Sequence, residues 1–196
     1  PTASTYSTGP IYKILDHQQT SVFLNDQIEL NKITKLFVGL RSMYMQQTAY
    51  QVTDGNQFAQ LNKLWNLPQV GVTFEITPKL TTYASYSKGV EPGTIALADS
   101  FTNRAVMPPK KTQQIEMGSK YQVDPESLLT IEAFEMKRPN EFSLPSNYFT
   151  PSSTWDGLYT LYQQGTVTNR GIEFSLAKKI TNRLNLLTSG MYIQAK

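Results

Sequence analysis

The connections in this chain fall into two kinds, four tight turns and three long polar segments, and the two kinds alternate without exception. The turns are Asn31-Lys32-Ile33-Thr34, Thr77-Pro78-Lys79, Asp124-Pro125-Glu126-Ser127 and Thr181-Asn182-Arg183. The long segments run from Gln47 to Asn66, from Glu91 to Thr112 and from Pro139 to Gly165. An up-and-down antiparallel sheet with this order carries every tight turn at one edge and every long loop at the other. Barrels of the outer membrane are built that way, with short periplasmic turns and longer extracellular loops. A soluble sandwich has no physical reason to sort its connections so strictly.

Between the connections, apolar and polar residues alternate with the period of two that marks a strand with unlike faces. Val22, Leu24, Ile28 and Leu30 oppose Phe23, Asn25, Gln27 and Glu29, with Asp26 interrupting the apolar set, which places it near an interface or beside a bulge. Leu36, Val38 and Leu40 oppose Phe37, Gly39 and Arg41. Val70, Val72, Phe74 and Ile76 oppose Gln69, Gly71, Thr73 and Glu75. Thr82, Ala84 and Tyr86 oppose Tyr83, Ser85 and Ser87. Ile115, Met117, Ser119, Tyr121 and Val123 oppose Glu116, Gly118, Lys120 and Gln122, and Ile172, Phe174 and Leu176 oppose Glu173 and Ser175. Two stretches, Leu128 to Arg138 and Leu184 to Gln194, carry apolar residues of both parities, and alternation alone leaves their faces open. The count is about eight strands, several long enough for the roughly 9–11 residues that cross a bilayer at a tilt. The eleven prolines fall in turns, in loops or at strand starts, where no central ladder bond is lost. Helical periodicity and helix caps are absent.

Composition agrees. Only 17% of residues are charged, the net charge is a mild +3, and Lys and Arg do not cluster with aromatics as a nucleic-acid surface requires. There is no cysteine, which removes disulfide frameworks, thiolate chemistry and cysteine metal sites. No apolar run reaches the roughly 18 residues of a membrane helix, which says nothing against crossing with strands. The chain opens on Pro1 with no signal segment and closes on Met191-Tyr192-Ile193-Gln194-Ala195-Lys196, which reads as the middle of a strand, so an internal fragment of a longer protein is expected. The polar face, with Glu75, Glu116, Lys120 and Glu173 near strand middles, is open to two readings, the solvated side of a sandwich or the lumen of a barrel. The sorting of the connections favours the barrel. Tyr44, Tyr86, Tyr121 and Tyr192 lie near strand ends, where amphipathic rings suit a membrane interface, although tyrosine is also simply a good strand residue.

Several strings resemble TonB-dependent siderophore receptors. They are Phe23-Leu24-Asn25-Asp26-Gln27-Ile28-Glu29-Leu30 with Leu36-Phe37-Val38-Gly39-Leu40-Arg41, the hairpin Val70 to Ser87, Ile115-Glu116-Met117-Gly118-Ser119-Lys120-Tyr121, and Asn169-Arg170-Gly171-Ile172-Glu173-Phe174-Ser175-Leu176 followed by Arg183-Leu184-Asn185-Leu186. The likeness spans nearly the whole chain in order. It implies an all-β fold, part of an antiparallel up-and-down transmembrane β-barrel that in the family has 22 strands and is closed by an N-terminal plug. Residues 1–196 would then be one piece of the C-terminal half of the barrel, without the plug, the TonB box or the closing strand. The implied location is the outer membrane of a Gram-negative bacterium. The implied partners are a ferric siderophore or similar ligand, outer-membrane lipid, the receptor's own plug and the TonB complex, and no nucleic acid. The resemblance also gives Arg41, Glu75, Glu116, Lys120 and Glu173 lumen-facing, plug-packing roles. Arg170 would point into the lumen or its rim, and Gly171 would relieve crowding at a bend.

No catalytic group is expected. His17 is the only histidine, read as a surface loop residue, and Glu132 and Glu135 stand at odd spacing, on opposite faces of one strand. No resident cofactor or metal site is expected, with iron arriving only inside its chelate. Capture of a bulky, anionic ferric chelate needs aromatic walls and cationic donors. The loop candidates are Lys88 and Arg104 around the second long segment, and Tyr148, Phe149, Trp155, Tyr159 and Tyr162 in the third. The competing readings are a soluble β-sandwich binding module and a passive porin or adhesion barrel without a plug.

Overall fold

All four tight turns close by the same device. In a computed structural model of the chain, which describes residues 13–50, 54–94, 107–145, 147–148 and 159–196, the side-chain oxygen that opens each turn accepts the backbone N–H two residues on. Asn31 Oδ1 accepts Ile33 and Thr34 (both 2.9 Å), and Thr77 Oγ1 accepts Lys79 and Leu80 at 3.2 and 3.0 Å. Asp124 Oδ1 accepts Glu126 at 2.8 Å and Thr181 Oγ1 accepts Arg183 at 3.2 Å. Short polar side chains mimic a backbone turn in this way, which is why Asn, Asp and Thr start them.

The turns join strands β1 (Leu15–Glu29), β2 (Thr34–Tyr50), β3 (Gln57–Thr77), β4 (Leu80–Glu91), β5 (Lys110–Asp124), β6 (Ser127–Pro145), β7 (Tyr159–Thr181) and β8 (Leu184–Ala195). They form one antiparallel sheet in the order β1-β2-β3-β4-β5-β6-β7-β8. The strands run further than periodicity indicates. β1 begins at Leu15, so His17 lies in a strand opposite Gln47 rather than in a loop. The first long segment is mostly strand, leaving residues 51–56 as the connection, and the others shrink to 92–109 and 146–158. Polar side chains there obscure the alternation that marks a strand. β3 and β7, at 21 and 23 residues, are the longest strands, and both lengthen toward the edge that carries the long connections.

The register settles the faces. Val22, Leu24, Leu36, Val38, Val70, Val72, Ala84, Met117, Ile131, Ala133, Ile172, Phe174 and Leu176 share one face through successive cross-strand pairs. The four tyrosines Tyr44, Tyr86, Tyr121 and Tyr192 lie on it too. The unassigned β6 contributes Leu129, Ile131 and Ala133 to this face, and Thr130, Glu132, Phe134 and Met136 to the other. β8 contributes Leu186 and Tyr192 here, and Leu187, Met191 and Ile193 opposite. Asp26 sits across from Val38 with no bulge, toward the tight-turn edge. This apolar face is uncovered: Leu24 is 77% exposed, Val22 73%, Met117 and Ile172 58% each. Leaving such side chains in water forfeits about 1.5–3 kcal/mol apiece. A sandwich would lay a second sheet on them, and the described residues form a single sheet.

Proline departs from the expected scheme. Pro68 lies inside β3 and Pro139 inside β6. Glu75 N–H donates to the Ile33 carbonyl across toward β2 at 2.7 Å. By alternation, odd-numbered β3 residues bond β2 and even-numbered ones face β4. Pro68 therefore faces β4 without a donor, and the β3–β4 ladder stops beside it, at Gln69 opposite Ser87.

Candidate ligand-binding face and loop-edge groove

The face opposite the apolar one is polar at the middle of the sheet. Cross-strand pairing puts Arg41, Glu75, Glu116, Lys120 and Glu173 all on it. They share the face without pairing to one another, and no ion pair among the described residues joins them. Arg41 instead donates from Nε and Nη2 to Ser21 Oγ at 3.1 and 2.9 Å. Glu116 accepts Gln114 Nε2 at 3.1 Å, and Lys120 Nζ lies 5.6 Å from the centre of the Tyr83 ring. Glu173 is paired by register with Glu132. Arg170 differs from its expected place: its parity is opposite to that of Glu173, and on the apolar-face side its Nε donates to Glu135 Oε2 at 2.6 Å. Lys137 Nζ completes that cluster at 2.9 Å from Glu135.

Bridging side chains cross the polar face over glycines. Gln69 Nε2 reaches Asn25 Oδ1 at 3.1 Å, passing over Gly39, where a Cβ would lie 2.6 Å from that nitrogen. The ring of Phe134 covers Gly171 in the same way, at 2.6 Å from where its Cβ would stand. The crowding at Gly171 is thus a neighbour's ring and the Tyr192 carbonyl.

Toward the loop edge the sheet turns on itself. Met43, Met45, Trp65 and Leu67, on the polar-face side of β2 and β3, form a buried cluster against which Val90 packs. Val90 has the opposite parity on β4, so the upper β4–β5 hairpin leans inward across β2 and β3. Three further contacts hold it. Gln47, wholly buried, donates Nε2 to the Gly93 carbonyl at 2.7 Å. Gln163 Nε2 of β7 donates to the Pro108 carbonyl at 2.9 Å. Lys110 pairs with Glu141 of β6 at 3.2 Å, both largely buried. The stem of the 92–109 connection is thereby tied to β2 on one side and to β6 and β7 on the other.

Where β4 leaves β3, a groove of about 420 Å³ opens, lined by Lys63, Trp65, Asn66, Lys88, Lys111 and Gln113 among others. Lys63 and Lys111 stand 4.7 and 5.1 Å from the centre of the Trp65 ring. Of the loop candidates, Lys88 is on this groove. Tyr148 and Tyr159 lie apart from it at the base of the 146–158 connection, where Tyr148 N–H donates to the Pro145 carbonyl at 2.9 Å and Tyr159 pairs with Pro145. Tyr162 stacks on Phe142, centroids 5.8 Å apart. Arg104, Phe149 and Trp155 lie outside the described residues. Sequence reading passed over Lys63, Trp65 and Lys111. The alternation Lys63, Trp65, Leu67 was the available signal, obscured because that stretch read as loop. Among the described residues no group of three His, Asp or Glu side chains could hold a metal ion.

A family model described as TonB dependent receptor-like, beta-barrel, matches residues 1–194. The chain is 27% identical over 184 residues to the metal-pseudopaline receptor CntO of Pseudomonas aeruginosa, a match that covers 88% of this chain and 23% of that protein. It superposes on BauA, the ferric preacinetobactin receptor of Acinetobacter baumannii, with a TM-score of 0.67 and 26% identity, over 92% of this chain and 26% of that one. It shares the fold of the ferripyoverdine receptor of the Pseudomonas aeruginosa outer membrane, with a TM-score of 0.70, 14% identity, and coverage of 93% and 23%. The chain therefore spans about a quarter of the length of these relatives.

Proposed function

The chain belongs to the TonB-dependent receptor β-barrel family, and we propose that it is part of the barrel of an outer-membrane receptor that imports a ferric siderophore or a related metal chelate. The observation that carries this reading is the single uncovered apolar face, continuous over eight strands whose tight turns all lie at one edge. Lipid is the surrounding that such a face suits, since outer-membrane barrels alternate apolar outward and polar inward. The relatives of 26–27% identity, a ferric preacinetobactin receptor and a metal-pseudopaline receptor, support a metal chelate as cargo.

In this reading the tight turns face the periplasm and the long connections face outside. The polar face, with Arg41, Glu75, Glu116, Lys120 and Glu173, lines the lumen and packs on the plug of the complete receptor, where the unpaired charges find partners, as lone charges in a partly dry lumen are costly. The loop edge captures the chelate with Lys88, Arg104, Tyr148, Trp155 and Tyr159. The role is transport, driven through TonB, with no catalytic residue and with iron as cargo rather than resident cofactor.

The test is uptake of radiolabelled ferric chelate by cells carrying the full-length receptor, with and without TonB. Uptake that persists undiminished without TonB would mean a passive pore. For the capture residues, Arg104→Ala and Trp155→Ala in the full receptor are expected to weaken chelate binding, and unchanged affinity in both removes them from the site.

A further inference from the structure

β8 is apolar on both faces. Leu184, Leu186 and Tyr192 lie on the apolar face of the sheet, while Leu187, Met191 and Ile193 lie on the inner, polar one, 74%, 56% and 50% exposed. Across β3 and β4 that inner face carries Gln69, Thr73, Ser85 and Ser87 instead. Beside β8 the apolar strip runs into a groove of about 680 Å³ at the tight-turn edge, lined by residues of β5 to β8 and of the turn that Asp124 opens. The floor of this groove is the cross-strand row Leu128, Ala177 and Leu187, with Gln122, Glu126 and Lys179 around it. Toward the other edge, the Phe134 ring over Gly171 extends the strip beside Ile193.

A strand that is apolar on both faces reads as one buried on both. Lipid can cover only one side of a wall that is one sheet thick. Water on the other side would forfeit the gain of burying Leu187, Met191 and Ile193, and water-filled lumens are lined by polar residues. Protein is the remaining cover. The chain spans about a quarter of the length of its relatives, and in the membrane reading the part of the remainder that sits inside the wall is the plug. We propose that the plug docks on this strip through an apolar segment of its own, which seats a side chain in the groove at the tight-turn rim and covers Met191 and Ile193 above it. On β3 and β4 the wall offers the plug hydrogen bonds, for which water competes. On β8 it offers apolar area, for which water is no substitute.

This docking rests on the membrane reading, and adjacent residues on opposite faces of β8 separate the two. In the full-length receptor in isolated outer membranes, Ser189 (inner face) and Thr188 (apolar face) are replaced one at a time by a photoreactive benzophenone amino acid. After irradiation, mass spectrometry identifies the peptide or lipid that each has coupled to. Ser189 lies between Leu187 and Met191, so all three apolar side chains stay in place. The probe at position 189 is expected to couple to the plug, and the probe at position 188 to lipid. The yield at position 189 is expected to fall several-fold in the L187N/M191N/I193N background, since polar side chains offer no apolar area to bury. L187N and M191N singly, each with a smaller fall, carry the same comparison where the triple variant does not reach the membrane. Coupling at position 189 to lipid, to other barrel strands or to nothing would overturn the docking while leaving the barrel in place. An unchanged yield in these variants would overturn it too, because the plug would then be near the strip without being held by it. Coupling at position 188 to the plug rather than to lipid would instead overturn the membrane reading.

Discussion

The hydroxyl of Tyr83 on β4 donates to Glu132 on β6 at 2.5 Å, reaching across the intervening strand β5 directly over Gly118. A Cβ at position 118 would lie 2.7 Å from the Tyr83 hydroxyl and ring carbon. The glycine is thus a clearance that lets one phenol bind a carboxylate two strands away. Gly118→Ala is expected to displace the ring and break this bond, costing about 1–3 kcal/mol. Tyr83→Phe should cost no more than the bond itself. Denaturant unfolding of the full receptor in detergent measures both, and a Gly118→Ala variant as stable as wild type would count against the clearance.

The Gln47 side chain ties the base of the 92–109 connection to β2 through the Gly93 carbonyl. Gln47→Leu keeps the volume and leaves that carbonyl without its donor, a loss of about 1–3 kcal/mol confined to the hairpin stem. Limited proteolysis should then cut within 92–109 several-fold faster, while the unfolding midpoint of the barrel changes little. An unchanged cutting rate would mean that the Lys110–Glu141 pair and Gln163 hold the stem without Gln47.

Pro68 lacks the one donor that the β4 ladder needs next. Pro68→Val supplies an amide pointing at β4 and is expected to extend the ladder by one pair, position 68 with Lys88, narrowing the groove. Hydrogen exchange reads the result directly: the Lys88 amide should exchange more slowly in the variant. No slowing would show that packing of Val90 on the buried cluster of Met43, Met45, Trp65 and Leu67, rather than the proline, holds the strands apart.

The Asp124 carboxylate, at the tight-turn edge, is held below the usual carboxylate range, first by the Glu126 backbone N–H, then by the Ser127 hydroxyl and Lys178. A depressed folded pKa means a contribution to stability that is present above the unfolded pKa of about 3.9 and lost as pH falls through the folded value. Asp124→Asn should flatten the acid limb of the stability curve below about pH 4. Identical acid limbs in the two proteins would remove the turn from the account.

Much of the fold is legible because strands with unlike faces write a period of two into the sequence. The turn positions were readable from Asn31, Thr77, Asp124 and Thr181, since each uses its own side chain to close the turn. The common face of Arg41, Glu75, Glu116, Lys120 and Glu173 followed from the same parity. Legibility failed where the environment changes. Where polar residues fill both faces of a strand the period of two is lost, so Gln57 to Asn66 read as loop although it is strand, and Trp65 went unnoticed with it. Arg170 was misplaced although its odd spacing from Glu173 on one strand already puts the two on opposite faces, and the register opposite Glu135 and the bond to it show the side it takes.

The sequence by itself determined the up-and-down order, the apolar and polar faces and the edge at which each connection lies, because these depend on local alternation and on side chains that bond their own backbone. Only the tertiary structure decided that the β4–β5 hairpin folds inward, that Lys63 and Lys111 flank Trp65, and that Tyr83 finds Glu132. Most of those contacts join residues far apart in the chain, 46 positions for Gln47 and Gly93 and 49 for Tyr83 and Glu132. Register brings them together, and register is set by the pairing of whole strands rather than by any short run of residues.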